Sequence, residues 1–130
     1  MGDNLNCLSF NVKGLQNKLK RLQIFDYIKE KVRNGIVLLQ ETHSSVEEEG
    51  KWKKEWGDDI YQNHGSSNSR GTIIAFSDGF DKKVLRYVDD QNGRIQILTF
   101  EHKKIKFMVI NVYNNNIEKD HVEIMKKLKN

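Results

Sequence analysis

The first forty residues place a short apolar run, a helical repeat and a second apolar run in succession, and this order constrains the fold most. Residues 4–10 predict a strand, and residues 36–39 form a continuously apolar run typical of a strand covered on both faces. Between them, apolar side chains recur at steps of three or four, at Leu15, Leu19, Leu22, Phe25, Ile28 and Val32. Asn34-Gly35 then fits a helix end. A strand, a helix and a second strand predict a layered α/β fold.

The remainder of the chain predicts mainly strands. Trp52 and Trp56 stand at helical spacing in a charged segment and are expected to pack on the core. Strands are predicted at residues 72–76, 83–88, 94–100 and 105–112, as a meander whose Asn92-Gly93 pair indicates a hairpin. A last amphipathic helix is expected from apolar residues at Ile117, Ile124, Met125 and Leu128. With no repeat and no linker, residues 1–130 are predicted to form a single domain.

Composition excludes several classes of protein. No apolar run approaches the roughly 20 residues of a membrane span, so no membrane partner is expected. The N-terminus lacks the basic and long apolar regions of a secretory signal. The one cysteine favours a reducing, intracellular compartment. A net charge of +4 is compatible with nucleic acid but does not require it.

Three polar clusters follow apolar strands and could meet at one edge of the sheet: Asn11, then Gln40-Glu41, then Asn111 to Tyr113. A carboxylate at a strand end suits a hard divalent cation, and a tyrosine hydroxyl can donate to a phosphate. Each residue also has an ordinary structural explanation: Glu41 as a surface acid, Asn11 as a turn residue and Tyr113 as a half-buried aromatic. The spacing alone leaves both explanations open.

The wording of these segments resembles that of a known family. Four of them, in order, are similar to successive motifs of the endonuclease/exonuclease/phosphatase superfamily: LSFNVKGL at 8–15, LQETH at 39–43, SRGTII at 69–74 and INVYNNN at 110–116. The resemblance runs through essentially the whole chain. It is strongest to the apurinic/apyrimidinic-like endonuclease domains of non-LTR retrotransposons.

The resemblance implies metal-dependent hydrolysis of phosphodiester bonds in DNA. Glu41 matches the metal-ligand glutamate, which normally serves Mg²⁺, with Mn²⁺ as an alternative. Asn11 matches the asparagine that supports the metal site, and Tyr113 the tyrosine that contacts the scissile phosphate. Asn116 matches an asparagine near that phosphate. Asn111, which precedes the tyrosine, could have a structural or a catalytic role.

The resemblance also implies a fold and a set of partners. We expect the N-terminal portion of a four-layer α/β sandwich of the deoxyribonuclease-like type, truncated at its C-terminal side. In that case the chain supplies one sheet with its helices, and self-association through an exposed inner sheet face is expected. Arg70 and Lys13 are predicted to contact DNA. A retrotransposon origin implies nuclear localisation and a longer polyprotein with reverse transcriptase.

Two departures from the family predict that the chain is inactive alone. The family's later aspartate, asparagine and histidine motifs would lie beyond residue 130, and Asn114-Asn115 replace the usual proline-containing loop. His43, His64, His102 and His121 are expected to be surface or loop residues. One alternative is a noncatalytic nucleic-acid-binding remnant that uses Lys18, Lys20, Arg21, Lys103, Lys104, Lys106, Lys126, Lys127 and Lys129. Another is a fragment without function.

Overall fold

The computed structural model describes residues 5–66 and 69–113, which form seven strands and two helices. In chain order these are β1 (Asn6–Asn11), α1 (Lys18–Lys31), β2 (Gly35–Gln40), α2 (Glu49–Trp56), β3 (Ile60–Asn63), β4 (Thr72–Phe76), β5 (Lys83–Asp89), β6 (Ile95–His102) and β7 (Ile105–Val112). The amphipathic helix expected near the C-terminus, and Asn116, lie outside the described residues. Neither described helix is long and apolar enough to cross a membrane.

The first sheet has the strand order β1-β2-β4-β3. β1 runs parallel to β2 because α1 carries the chain back between them, whereas β4 runs antiparallel to both of its neighbours. Asn11 pairs with Gln40, and Gln40 pairs with Thr72. The ends of β1 and β2 and the start of β4 therefore lie at the same edge of the sheet.

Both helices cover one face of this sheet. Alternate residues of β2 and β4 face them, and this core consists mainly of Val37, Leu39, Ile73, Ala75, Phe25, Ile28, Trp52 and Trp56. The predicted packing of both tryptophans is confirmed, since each is 1% exposed. The predicted apolar stripe is wrong at one position: Leu19 is 67% exposed. Leu15 precedes α1 but is fully buried.

β5, β6 and β7 form a second, antiparallel sheet that packs on the other face of the first. The core between the sheets contains Ile36, Ile74, Phe76, Phe80, Leu98 and Phe100. The expectation of one sheet with a bare inner face is therefore wrong, and so is self-association through that face. Strand periodicity indicates where the chain is extended but not which sheet a strand joins. The described residues form three layers of the expected α/β sandwich, with both sheets face to face.

Candidate functional site

Asn11 and Glu41 meet at the edge where β1 and β2 end. The Asn11 Nδ2 atom donates to Glu41 Oε1 at 3.3 Å, and Asn11 Oδ1 accepts from the backbone N–H of Lys13 at 3.0 Å. Both polar atoms of the amide are thus in use, and the asparagine orients the carboxylate. This geometry agrees with the supporting role that the resemblance implies for Asn11.

His43 lies beside Glu41, where the sequence predicted only a surface or loop histidine. Its Nε2 atom is 3.7 Å from Glu41 Oε2, and its side chain is 15% exposed. Glu41 and His43 both have φ of 57°, in the left-handed region that non-glycine residues seldom adopt. Such strained backbone tends to cluster at functional sites. The two-residue spacing in Gln-Glu-Thr-His was the available signal for this neighbour.

Among Asn11, Glu41 and His43, the one carboxylate is that of Glu41. These residues supply only part of a metal site. Within residues 5–66 and 69–113, no group of three or more His, Cys, Asp or Glu side chains could hold a metal. The Glu41 side chain is 29% exposed, so it is partly accessible to solvent. Mg²⁺ commonly uses one or two carboxylates and completes its octahedron with waters and substrate phosphates. The residues present fit that minimal mode of binding.

Tyr113 leaves β7 at the same edge. Its backbone N–H donates to Arg94 O at 2.7 Å, which extends the pairing of Val112 with Ile95 by one step. The Tyr113 side chain is half-buried, and Arg94 is exposed. Arg94 was not among the sequence-predicted residues. Its position opposite Tyr113, in the predicted meander of the strands at 94–100 and 105–112, could have identified it.

Asn111 joins the two sheets. It is 1% exposed, and its Nδ2 atom donates to Leu39 O, Ile73 O and Gln96 Oε1, each at 3.0 Å. Its Oδ1 atom accepts from Gln40 Nε2 at 2.9 Å. These contacts favour the structural role over the catalytic one. They hold the strand that leads to Tyr113 against the strand that leads to Glu41.

Three cations border this edge, which we call the rim. Lys13 is exposed at φ 52°, and Lys20 Nζ donates to its carbonyl at 3.0 Å. Arg70 has φ 61°, and its Nε atom donates to Asn92 O at 3.0 Å. Together with Arg94, they give the rim a positive border beside the Glu41 carboxylate. The structure thus brings Lys13 and Arg70 to the same edge as Glu41.

Other basic residues from the second interpretation lie elsewhere. Arg21 is 1% exposed and binds Glu55 through two nitrogens, at 2.6 and 2.8 Å, so it is unavailable to nucleic acid. This ion pair, chiefly its hydrogen bond, holds the pKa of Glu55 below its ordinary value. Lys103 and Lys104 follow His102, about 24 Å along β6 from the rim. Lys126, Lys127 and Lys129 lie outside the described residues.

The rim loops hydrogen-bond to one another through their backbones. The bonds run from Gly14 N to Glu41 O, Leu15 N to Thr42 O, Thr42 N to Gly71 O, His43 N to Arg70 O and Gly71 N to Gly93 O, at 2.7 to 3.1 Å. They link four loops drawn from both sheets. The site is therefore held by the backbone and not by side chains alone.

Asp90 fixes the β5–β6 hairpin at this edge. Its Oδ1 atom accepts from Asn63 Nδ2 at 2.9 Å and from the backbone N–H groups of Asn92, Arg94 and Ile95. Partial burial raises the pKa of Asp90, but these hydrogen bonds outweigh it, and the pKa lies below its ordinary value. The carboxylate thereby stabilises the turn that carries Arg94.

Two further histidines have structural environments. His64 lies 2.8 Å from Ser44 Oγ and 2.6 Å from Glu49 Oε1, an order that resembles a catalytic triad. Ser44 is 1% exposed, however, so the group ties α2 to the β3–β4 loop. His102, expected at the surface or in a loop, instead ends β6, is 4% exposed and stacks on Phe80 at 4.4 Å.

No family model matches the chain. One relative, the "Transposon TX1 uncharacterized 149 kDa protein" of Xenopus laevis, is 28% identical over 109 residues, which are 84% of this chain and 8% of that protein. Truncated Caenorhabditis elegans TDP2 superposes with a TM-score of 0.61 at 16% identity, over 94% of this chain and 54% of that one. The endonuclease domain of TRAS1, a telomere-specific non-LTR retrotransposon, gives 0.59 at 16% identity, over 94% and 52%.

The chain shares the fold of these two solved structures, which confirms the predicted α/β sandwich of the deoxyribonuclease-like type. The predicted resemblance to the endonuclease domains of non-LTR retrotransposons is also confirmed, by the transposon relative and the TRAS1 domain. The chain spans about half the length of both structural neighbours.

Proposed function

We propose that the rim is part of a site that hydrolyses phosphodiester bonds in DNA with the help of a divalent metal. The main observation behind the proposal is the Asn11–Glu41 pair at the edge where both sheets meet. In this pair Asn11 orients a carboxylate whose side chain is 29% exposed. Its support is the fold shared with a retrotransposon endonuclease domain.

The residues of the rim divide the work by their chemistry. Glu41 would hold Mg²⁺, or Mn²⁺, while Asn11 keeps its carboxylate in place. When bound, the metal would neutralise charge on the phosphate and on the leaving oxygen. Tyr113 can donate its hydroxyl proton in a hydrogen bond to a phosphate oxygen. The predicted role of Asn116 near the phosphate is also part of this proposal.

The cations of the rim would bind the DNA backbone. Lys13, Arg70 and Arg94 border Glu41 and Tyr113, where each could contact a phosphate. In the reaction, water attacks phosphorus and the bond to the leaving oxygen breaks. A nuclear setting and a longer polyprotein with reverse transcriptase accord with the transposon relative and belong to the same proposal.

Metal-dependent DNA binding tests the proposal. We expect Mg²⁺ to tighten binding of a short fluorescein-labelled DNA duplex, measured by anisotropy against EDTA. Glu41→Gln removes the negative charge at nearly constant shape, so it should abolish this gain. The matched control is Glu101→Gln, in β6 near the opposite end of the second sheet, which should keep it. Equal binding in Mg²⁺ and EDTA by the wild type would contradict the proposal.

A plasmid-nicking assay with Mg²⁺ asks a separate question of the same protein. Because no group of three or more His, Cys, Asp or Glu side chains could hold a metal within residues 5–66 and 69–113, we expect no nicking by residues 1–130 alone. Metal-dependent nicking that Glu41→Ala abolishes would overturn this expectation and show that the chain is sufficient for hydrolysis.

Noncatalytic nucleic-acid binding is the second candidate. It is favoured by the lack of a three-residue acidic or histidine group within residues 5–66 and 69–113. Binding of this kind weakens steeply with salt and is not tightened by Mg²⁺, which competes for the phosphates. A salt titration in EDTA measures it, and no binding at low salt would exclude it.

A further inference from the structure

Gly93 lies where the β5–β6 hairpin crosses the β3–β4 loop, in a space too small for any side chain. Its φ is +74°, and a Cβ built on it would lie 2.6 Å from the backbone nitrogens of Gly65 and Gly71. Real Cβ atoms essentially never approach within 3.0 Å of another heavy atom. All the crowding atoms belong to the backbone, so no side-chain rotation could relieve the contact.

This close approach connects the two halves of the rim. Gly71 N donates to Gly93 O at 2.9 Å, and Gly71 O accepts from the N–H of Thr42, the residue after Glu41. On the other side, the carbonyl of Arg94, the residue after Gly93, accepts from Tyr113 N at 2.7 Å. Three hydrogen bonds thus run from the neighbour of Glu41 in the first sheet to Tyr113 in the second.

We propose that Gly93 is a positioning residue of the candidate site. Because it has no side chain, Gly93 lets the hairpin pack directly against the backbone of Gly71. This contact sets the distances of Arg94 and Tyr113 from Glu41. The inference rests on the proposed function, because the spacing matters only if metal and phosphate bind at the rim. It adds a determinant that makes no contact with metal or DNA.

Gly93→Ala disrupts this close contact between the hairpin and the β3–β4 loop. To reach ordinary contact, the new Cβ must retreat from 2.6 Å to at least 3.4 Å from the two nitrogens, which moves the hairpin by roughly 1 Å. Gly79→Ala is the matched control, since Gly79 has φ +69° with nothing within 4 Å of its Cβ position. It carries similar backbone strain without the crowding.

The first measurement is DNA affinity by anisotropy, with Mg²⁺ and with EDTA. For Gly93→Ala we expect the Mg²⁺-dependent gain to fall at least threefold while the affinity in EDTA stays within twofold of wild type. Gly79→Ala should retain both values. A purely structural role would lower both affinities together, and that result, or an unchanged Mg²⁺ gain, would overturn the proposal.

The second measurement is amide hydrogen exchange by NMR, which does not depend on the proposed function. Gly93→Ala should accelerate exchange at Gly71, Thr42 and Tyr113 at least tenfold relative to Gly79→Ala. Acceleration at Gly71 alone would contradict positioning across the sheets. If wild-type protein shows no Mg²⁺ gain, the proposed function fails, and exchange by itself decides whether Gly93 couples the two loops.

A second variant covers the case in which Gly93→Ala does not fold. Asn63 holds the same hairpin by donating to Asp90 Oδ1 and accepting from Gly93 N. Asn63→Ala removes these two hydrogen bonds to the hairpin without adding bulk. It should therefore give the same pattern of amide exchange and the same selective loss of the Mg²⁺-dependent gain in DNA affinity. Retention of both would count against the proposal.

Discussion

The two ends of the sandwich both carry cations, yet only one has the geometry of a site. At the far end, Lys29 and Arg33 line an open groove of about 360 Å³ with Ser77 and Asp78. The turn from β4 to β5 there is also bonded to its neighbours, through Ser77 N to Gly35 O at 3.0 Å and Gly79 N to Asp58 Oδ2 at 3.1 Å. At the rim, four loops from both sheets are joined through their backbones, and Asn11 orients the carboxylate of Glu41. Neither positive charge nor joined loops alone therefore mark a site, whereas an oriented carboxylate among them does.

The difference also appears in backbone strain. Lys13, Glu41, His43 and Arg70 all have positive φ at the rim, in segments distant along the chain. At the far end, the strained pair Lys103 and Lys104 forms a two-residue turn between adjacent strands, where such conformations are favoured. Lys13, Glu41 and His43 lie outside hairpins, so contacts between loops sustain their strain.

The largest effect is expected where the rim depends on buried polar groups. Asn111→Leu removes four hydrogen bonds from the buried contact between the sheets, so the free energy of unfolding should fall by about 4 kcal/mol. Thr99→Val, in β6 at mid-sheet, serves as the control and should change it little. Urea denaturation measures both, and similar losses would show that the joint is not special to the rim.

Arg21 tests how the first rim loop is anchored. Besides binding Glu55, its NH1 atom donates to Leu15 O at 3.0 Å and holds the segment that follows Lys13. Arg21→Met leaves the Glu55 carboxylate, 13% exposed, without its partner and should cost about 3 kcal/mol in urea denaturation. The double variant with Glu55→Met should recover part of this loss. A double variant as unstable as the single one would mean that packing, not the ion pair, anchors the loop.

The cations at the two ends can be compared directly through salt dependence. If Lys13 and Arg94 each neutralise one phosphate, replacing both by alanine should reduce the slope of log affinity against log salt by about 2. Replacing Lys104 and Lys106, at the β6–β7 turn, should leave the slope unchanged. Anisotropy titrations over a range of NaCl concentrations measure this slope. Equal reductions for the two pairs of substitutions would show that cations at both ends contact DNA phosphates alike.

A smaller effect is expected from acid. Because hydrogen bonds lower the folded-state pKa of Asp90, its contribution to stability is complete above its ordinary value of 3.8 and is lost as pH falls through the lower folded-state value. Asp90→Asn should therefore make stability less dependent on pH below about 4. Urea denaturation at pH 5 and pH 3 measures this. An unchanged pH dependence would show that the charge of Asp90 does not stabilise the hairpin.

Sequence periodicity predicted the elements well and their assembly poorly. The strand predicted at residues 72–76 matches β4, and that at 105–112 matches β7. Their assignment to different sheets could not be predicted, because alternation shows that a strand has two faces and not what covers them. Both faces of β4 are buried, one against helices and one against the second sheet.

The candidate site was partly predictable for the same reason. Asn11, Glu41 and Tyr113 follow strands, so their shared edge follows from topology once the strands are known. Arg21 stands off the apolar stripe of α1 and would be placed in solvent, because its burial depends on Glu55 in another helix. Gly93 was visible only as a turn residue, since its contact with Gly71 arises between distant loops.

The joint between Gln40 and Asn111 has a consequence for synthesis on the ribosome. The two residues are 71 positions apart, so translation at roughly 5 to 20 residues per second separates their emergence by about 4 to 14 s. Ile36 is made before that interval and Ile74 and Phe76 within it, so all three precede the completed second sheet that covers them. The nascent chain exposes an aggregation-prone surface until the second sheet is made, and the rim forms only after β7 is complete.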